Sequence, residues 1–125
     1  LGGDPVAATM PDVPFLANFA RAVRVTDSAP YEEIIRFCKV YPHHTERVFA
    51  NLSYLDVVNH ARRTSVPALF SVGLLDEVTP ASTVYAAYNH YAGPKRIVVY
   101  PFNGHEGGGL RHFEVKLAYL DALPQ

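Results

Sequence analysis

The sequence predicts an α/β protein built on parallel strands with flanking helices. Two short, almost wholly apolar runs, "VPALFSVG" at 66–73 and "KRIVVYPF" at 95–102, have the length and β-branched content of strands in a parallel sheet. A helical pattern separates them and another follows, so residues 66–123 read strand–helix–strand–helix, the order of a βαβ crossover unit. The stretch from about 19 to 63 is helical throughout and offers no strand candidate.

Taken in order, "DVPFL" at 12–16 is a short β-like run with a proline on either side, and "ANFARAVRV" follows with helical spacing at Phe19 and Val23. In "DSAPYEEIIRFCKVY", Ser28 is placed to cap a helix, Pro30 suits its first turn, and Glu32 and Glu33 favour its positive end. Ile34, Ile35, Cys38 and Tyr41 form its apolar stripe. "TERVFANLSYLDVVNHARR" is a second helical region with a break expected near Ser53. After the first strand comes the loop "LLDEV", then Thr79 and Pro80 as N-cap and first residue of "PASTVYAAYNHYA". "GP" at 93–94 ends that helix, and "FEVKLAYLDAL" is the last one.

Composition narrows the function classes. Apolar residues make up 49% of the 125 and charged residues 18%, an ordinary globular balance, and a net charge of −1 with mixed signs points away from nucleic acid or an anionic membrane as partner. No apolar run approaches a membrane span, and the first residues have neither the basic start nor the continuous apolar run of a signal peptide. The one cysteine, Cys38, cannot form an internal disulfide and reads as a small core-facing residue. The cytoplasm is the expected compartment. The chain opens without an initiator Met, inside what reads as a loop, so a fragment of a longer protein is expected.

The two post-strand loops should be neighbours, because parallel strands joined by one crossover commonly lie side by side. One carries Asp76 and the other, in "NGHEGGG", carries His105, 29 positions on (105 − 76). Carboxyl ends of parallel strands are where α/β folds keep their ligands. An Asp and a His there could touch, the carboxylate fixing the imidazole tautomer. Other roles for His105 fit less well. A zinc-binding helix would need a second His where Gly109 stands, and the glycine spacing matches no phosphate loop. A polar residue in a glycine-rich turn remains the plain alternative to a general base. His43 and His44 fall in a helix-to-helix turn, and His60 and His90 lie on helices as structural residues. His112 could approach the site from the last helix. Tyr85, Tyr88 and Tyr91 read as packing residues.

An Asp–His pair in this order lacks a nucleophile. The serines are Ser28, Ser53, Ser65, Ser71 and Ser82, and none sits in a G-x-S-x-G strand-to-helix turn. The serine is therefore expected upstream of Leu1.

The segments "DVPFL-NF-RAV", "PYEEI", "LSYLDVVN-A", "VPALFSVGLLDEVTP-STVYAAYNHYAGPK" and "YPFNGHEGGG" resemble the acetyl xylan esterase/cephalosporin-C deacetylase family, serine esterases of the α/β-hydrolase fold. The likeness runs from about Asp12 to the last helix. It implies that the chain is the C-terminal portion of such a fold, with 19–63 as a lid-like helical insertion. It implies Asp76 as the triad acid, His105 as the general base, and Phe15, Pro30 and Val78 as lining a small acyl pocket. The family's nucleophile elbow, of the form G-G-S-Q-G-G, would stand before "DVPFL", and "LGGDPVAATMP" resembles only the end of the helix after it and the next turn. Gly104, where a second Asn is common, and Glu77 and Thr79 depart from the pattern mildly.

The resemblance thus implies hydrolysis of acetyl esters on xylo-oligosaccharides or cephalosporins, with no cofactor and no metal. The N-terminal part of the same hydrolase would be the partner, and a homo-oligomer is expected. This chain by itself would be inactive and, without the rest of its sheet, poorly folded. A non-catalytic fragment or association module is the alternative, as is an α/β-hydrolase of another substrate class, such as a peptidase.

Overall fold

The computed structural model describes residues 6–123, so the reading of the first five residues as the end of a helix lies outside it. Strands β1 (Ala68–Gly73) and β2 (Lys95–Tyr100) pair in parallel, from Ala68 opposite Lys95 to Gly73 opposite Tyr100. Helix α5 (Ala81–His90) makes the crossover. All six residues of β1 are buried, with Leu69 and Val72 fully inaccessible, each such side chain contributing about 1.5–3 kcal/mol of transfer free energy. β2 is the edge and mostly half-exposed.

A third ribbon lies along the opposite edge of β1. Thr9 bridges Ala68 and Asp12 bridges Ser71, both in parallel. The pairing therefore falls at Thr9 and Asp12, earlier than the expected 12–16 run. Pro11 and Pro14 lack an N–H, so the ladder cannot run on. Pro11 contributes only its carbonyl, accepting from Ser71 N–H at 3.2 Å. Beyond it the chain turns away through positive φ at Val13, Leu16 and Asn18.

Asn18 ends that turn by accepting from Arg21 N–H and starting α1 (Phe19–Val25). Helices α2 (Tyr31–Val40), α3 (Thr45–Leu52) and α4 (Val57–Ala61) follow, with a 3₁₀ turn at Pro42–His44, and no strand occurs among 19–63. The break expected near Ser53 separates α3 from α4. Asp56 fastens this region: its carboxylate accepts from the N–H groups of Asn18 (2.9 Å), Phe19 (3.1 Å) and Val58 (3.0 Å), so one side chain serves two helix starts. Phe19, Ala22 and Tyr31 form the small core here, with Phe15, Ile34, Phe49 and Leu52 against it. Cys38 is only half-buried and Tyr41 is exposed, so the α2 stripe is partly covered. A larger cluster of Ala17, Ala61, Ala68, Phe70, Ala87 and Tyr91 joins β1 to α4 and α5.

Three expected helix starts differ. Ser28 does not cap α2: Pro30 holds the cap position and Ser28 offers only its carbonyl, to Glu32 N–H. Thr79 does not cap α5, because its hydroxyl is drawn to Asp76, and Pro80 precedes the first helical residue. Helix α6 (Gly109–Asp121) begins inside the glycine run, four residues before the expected Phe113. Among the described residues no helix is long and apolar enough to cross a membrane.

Candidate active site

The two post-strand loops are joined by their backbones. Leu74 N–H donates to Tyr100 O (3.1 Å) and Leu75 N–H to Asn103 O (3.0 Å). Gly73 makes this approach possible. A Cβ there would stand 2.2 Å from the Gly104 carbonyl oxygen and 2.7 Å from that of Asn103, closer than any side chain can come.

Asp76 sits where the first loop turns into α5, its side chain fully buried. Oδ1 accepts from the N–H groups of Val78 and Thr79, both at 2.8 Å, and Oδ2 accepts from the Thr79 hydroxyl at 2.7 Å. His105 Nδ1 lies 3.1 Å from the same Oδ2. The carboxylate thus has four partners, and such charge-assisted bonds offset the cost of burying it. Thr79 was absent from the sequence-based site. Its signal was the spacing Asp76-x-x-Thr79, which lets an aspartate bond the backbone two and three residues on.

The His105 side chain is 49% exposed. With Nδ1–H directed at Asp76, Nε2 keeps its lone pair free for a proton. Thr79 Oγ1, at 3.4 Å from Nδ1, flanks the same edge of the ring. Glu106 turns back on its own loop, accepting from Asn103 Nδ2 (2.7 Å) and Gly104 N–H (3.0 Å). Those bonds, the Asn103 amide first, hold its carboxyl below the usual carboxylate range. Its carboxylate thus braces the loop that carries His105.

Gly107, at φ 53°, packs on Val13 and Ser71, and Gly108, at φ 92°, lies on the ring of Tyr100. A Cβ on Gly108 would come within 2.3 Å of that ring, so the glycines are required by both conformation and contact. His112, expected to approach from the last helix, meets Tyr100, which the sequence did not single out, beneath this loop, Tyr100 Oη 3.0 Å from His112 Nδ1. His112 is buried and makes no bond with Asp76 or His105; burial pushes its pKa below the ordinary value and that of Tyr100 above its own.

The residues expected at an acyl pocket line no common cavity among the described residues. The Phe15 ring packs on Tyr31, centroids 5.6 Å apart; Pro30 is exposed ahead of α2; Val78 is half-buried in the Asp76 turn. A polar cleft beside Asp76 is lined by Val25, Thr26, Asp27, Ser28, Asp76, Glu77 and Pro80, and by none of these three. The remaining histidines lie elsewhere: His60 Nε2 is 2.9 Å from Tyr54 O and His90 Nδ1 is 2.8 Å from Ala86 O, both on exposed helix surfaces. Three serines are engaged away from His105: Ser53 donates to Ala50 O, Ser71 accepts from Val13 N–H, and Ser82 accepts from Arg21 Nε.

Comparison with known proteins places the chain in a family and a fold. The profile of the acetyl xylan esterase family matches residues 3–123. An acetyl esterase of Xylanibacter ruminicola, Axe7A, is 35% identical over 72 residues, which are 52% of this chain and 16% of that protein. Among solved structures, an acetyl xylan esterase from Paenibacillus sp. R4 superposes with a TM-score of 0.88 at 39% identity, over 94% of this chain and 38% of that one. Acetyl xylan esterase 1 from Thermoanaerobacterium sp. JW/SL YS485 gives 0.79 at 36% identity, over 89% and 37%. The acylaminoacyl peptidase of Pyrococcus horikoshii, at 15% identity and a TM-score of 0.67, shares the fold alone. The chain therefore spans well under half the length of each of these relatives.

Proposed function

Since the chain belongs to the acetyl xylan esterase family and has the α/β-hydrolase fold, we propose that it supplies the acid and the general base of a carbohydrate esterase that cleaves acetyl esters. The observation that carries this reading is the contact of a fully buried Asp76 carboxylate with the half-exposed His105 imidazole, 3.1 Å from Oδ2 to Nδ1. The nucleophilic serine lies outside these 125 residues, in the part of the hydrolase that the relatives have in addition.

By this reading the imidazole works twice in each turnover. His105 Nε2 takes the proton of the serine hydroxyl as its oxygen bonds to the acetyl carbonyl carbon. The carbon–oxygen bond to the sugar then breaks, and the sugar hydroxyl leaves with the proton from Nε2. Water, deprotonated by the same nitrogen, attacks the acetyl-serine and releases acetate. Asp76 stabilises the imidazolium formed in each half and keeps Nδ1 protonated between them. Thr79 and the two loop amides hold the Asp76 carboxylate in place. Phe15, Pro30 and Val78 bound the acetyl group, and the alcohol lies toward solvent, so acetylated xylo-oligosaccharides and cephalosporin C are both substrates by this reading.

A fluorophosphonate probe followed by intact mass measurement tests it. The label should fall on a serine outside this sequence, in a protein that releases acetate from acetylated xylo-oligosaccharides. His105→Ala should lower that rate about 10⁴- to 10⁶-fold. Acetate release at an undiminished rate, or a label on one of the serines of this sequence, would overturn it.

A further inference from the structure

We propose that His112 is a positioning residue for His105: through Tyr100 it fixes the floor of the glycine loop and thereby the seat of the His105 imidazole on Asp76. The inference rests on the reading of Asp76 and His105 as the catalytic pair.

His105 is carried by a loop whose two ends are Tyr100, the last residue of β2, and Gly109, the first of α6. Hydrogen bonds from the Asp76 side reach that loop at Tyr100 O and Asn103 O, ahead of His105. After His105, the loop at Gly107 and Gly108 rests on side chains. Gly107 packs on Val13 and Ser71, and Gly108 lies directly on the Tyr100 ring. The position of that ring therefore decides where the chain passes three residues after His105.

The ring is tethered at its far end. Tyr100 Oη lies 3.0 Å from His112 Nδ1, both groups buried, and His112 N–H donates to Gly108 O at 3.2 Å. One residue thus restrains both the glycine backbone and the ring beneath it. His112 is itself anchored from a third element: Nε2 lies 3.0 Å from Asp12 Oδ1, on the ribbon beside β1, and Lys116 pairs with the other oxygen of Asp12. Nε2 approaches the Asp12 carboxylate without the alignment of a good hydrogen bond. The ribbon, β2 and α6 therefore converge on this imidazole, which makes no contact with the reacting groups.

A neutral His112 with its proton on Nε2 accepts from the Tyr100 hydroxyl at Nδ1 and presents the proton to Asp12. Tyr100→Phe removes only the hydroxyl, so the ring keeps its volume and loses its tether. His112→Ala removes the tether from the other side, and His112→Gln restores an amide oxygen for Tyr100 and an amide N–H for Asp12.

The test is the tautomer of His105, read by long-range proton–nitrogen correlation NMR on the protein with isotope-labelled histidine. In the unaltered protein the Nδ1–H form should dominate, as the Asp76 contact requires. In Tyr100→Phe and His112→Ala the population should move toward the Nε2–H form that a free imidazole prefers, with kcat for acetate release falling by up to about 10²-fold and KM little changed. His112→Gln should recover most of the Nδ1–H form. A general structural weakening would lower the melting temperature of these variants and leave the tautomer where it was, and that result overturns the proposal. If His112→Ala fails to fold, Tyr100→Phe decides. An unaltered protein already in the Nε2–H form would overturn the Asp76–His105 reading itself, a different failure from an unmoved tautomer in the variants.

Discussion

The segment from β1 to the glycine loop and the helical region at 19–63 are held in different ways. In the first, a fully buried strand pairs on both edges, and its two outgoing loops are hydrogen-bonded to each other over the missing side chain of Gly73. In the second, short helices cover one another around Phe19 and Tyr31, and much of their apolar surface, including Phe37, Val40, Tyr54 and Leu55, faces outward. By the proposed reading, reacting groups, which must stay within a fraction of an ångström of their geometry, belong in the first segment, where packing leaves little freedom. Groups that only border a substrate tolerate looser support.

The largest effect that sharpens this contrast comes from Asp76→Asn. The new amide would present N–H groups to Thr79 and to His105 Nδ1, stabilising the wrong tautomer, and kcat for acetate release should fall about 10⁴-fold. A loss of less than tenfold in steady-state assays would remove Asp76 from the mechanism. Gly73→Ala comes next. Its Cβ cannot coexist with the Gly104 and Asn103 carbonyls, so the loops must part at a cost of about 1–3 kcal/mol. The displacement of His105 should cost about 10²-fold in kcat, a loss that Ala at the open position Gly109 would not cause through contact.

In the helical region the expected effects fall on stability instead. Asp56→Ala removes three bonds at two helix starts and should cost about 1–2 kcal/mol in denaturant unfolding. Its effect on kcat should be small; a loss comparable to that of Gly73→Ala would erase the distinction between the regions. The smallest effect is one of pH. Burial holds the pKa of His112 below its ordinary 6.5, so the folded state binds fewer protons than the unfolded one. The stability gained by keeping it neutral is complete above 6.5 and is lost as pH falls through the depressed folded value. Melting temperature should therefore drop on mild acidification, and His112→Gln should flatten that drop.

Much of the fold was legible because burial leaves a periodic mark. The runs at 66–73 and 95–102 became β1 and β2, and the strandless stretch 19–63 is helical, since a strand buried on both faces and an amphipathic helix differ in their apolar pattern. The juxtaposition of Asp76 and His105 followed from topology alone, because parallel neighbours bring their outgoing loops together. Asp12 begins the expected β-like run, but pairing at Thr9 was missed because the sequence there is neither alternating nor apolar; a ribbon that borrows carbonyls from prolines leaves no period to read. Thr79 was assigned to the following helix because an N-cap threonine and one bonded to an upstream aspartate look alike until both partners are in place.

By itself, then, the sequence determined the α/β class, the strand order over 66–123 and the pair of neighbouring loops that carry Asp76 and His105. These depend on local periodicity and on short connections. Only the tertiary structure decided that Gly73 admits the second loop, that Thr79 completes the Asp76 shell, and that Tyr100, His112 and Asp12 meet under the glycines. Those contacts join residues up to 100 positions apart (112 − 12), as between Asp12 and His112, and arise from shape and hydrogen-bond satisfaction after packing, which no local pattern encodes.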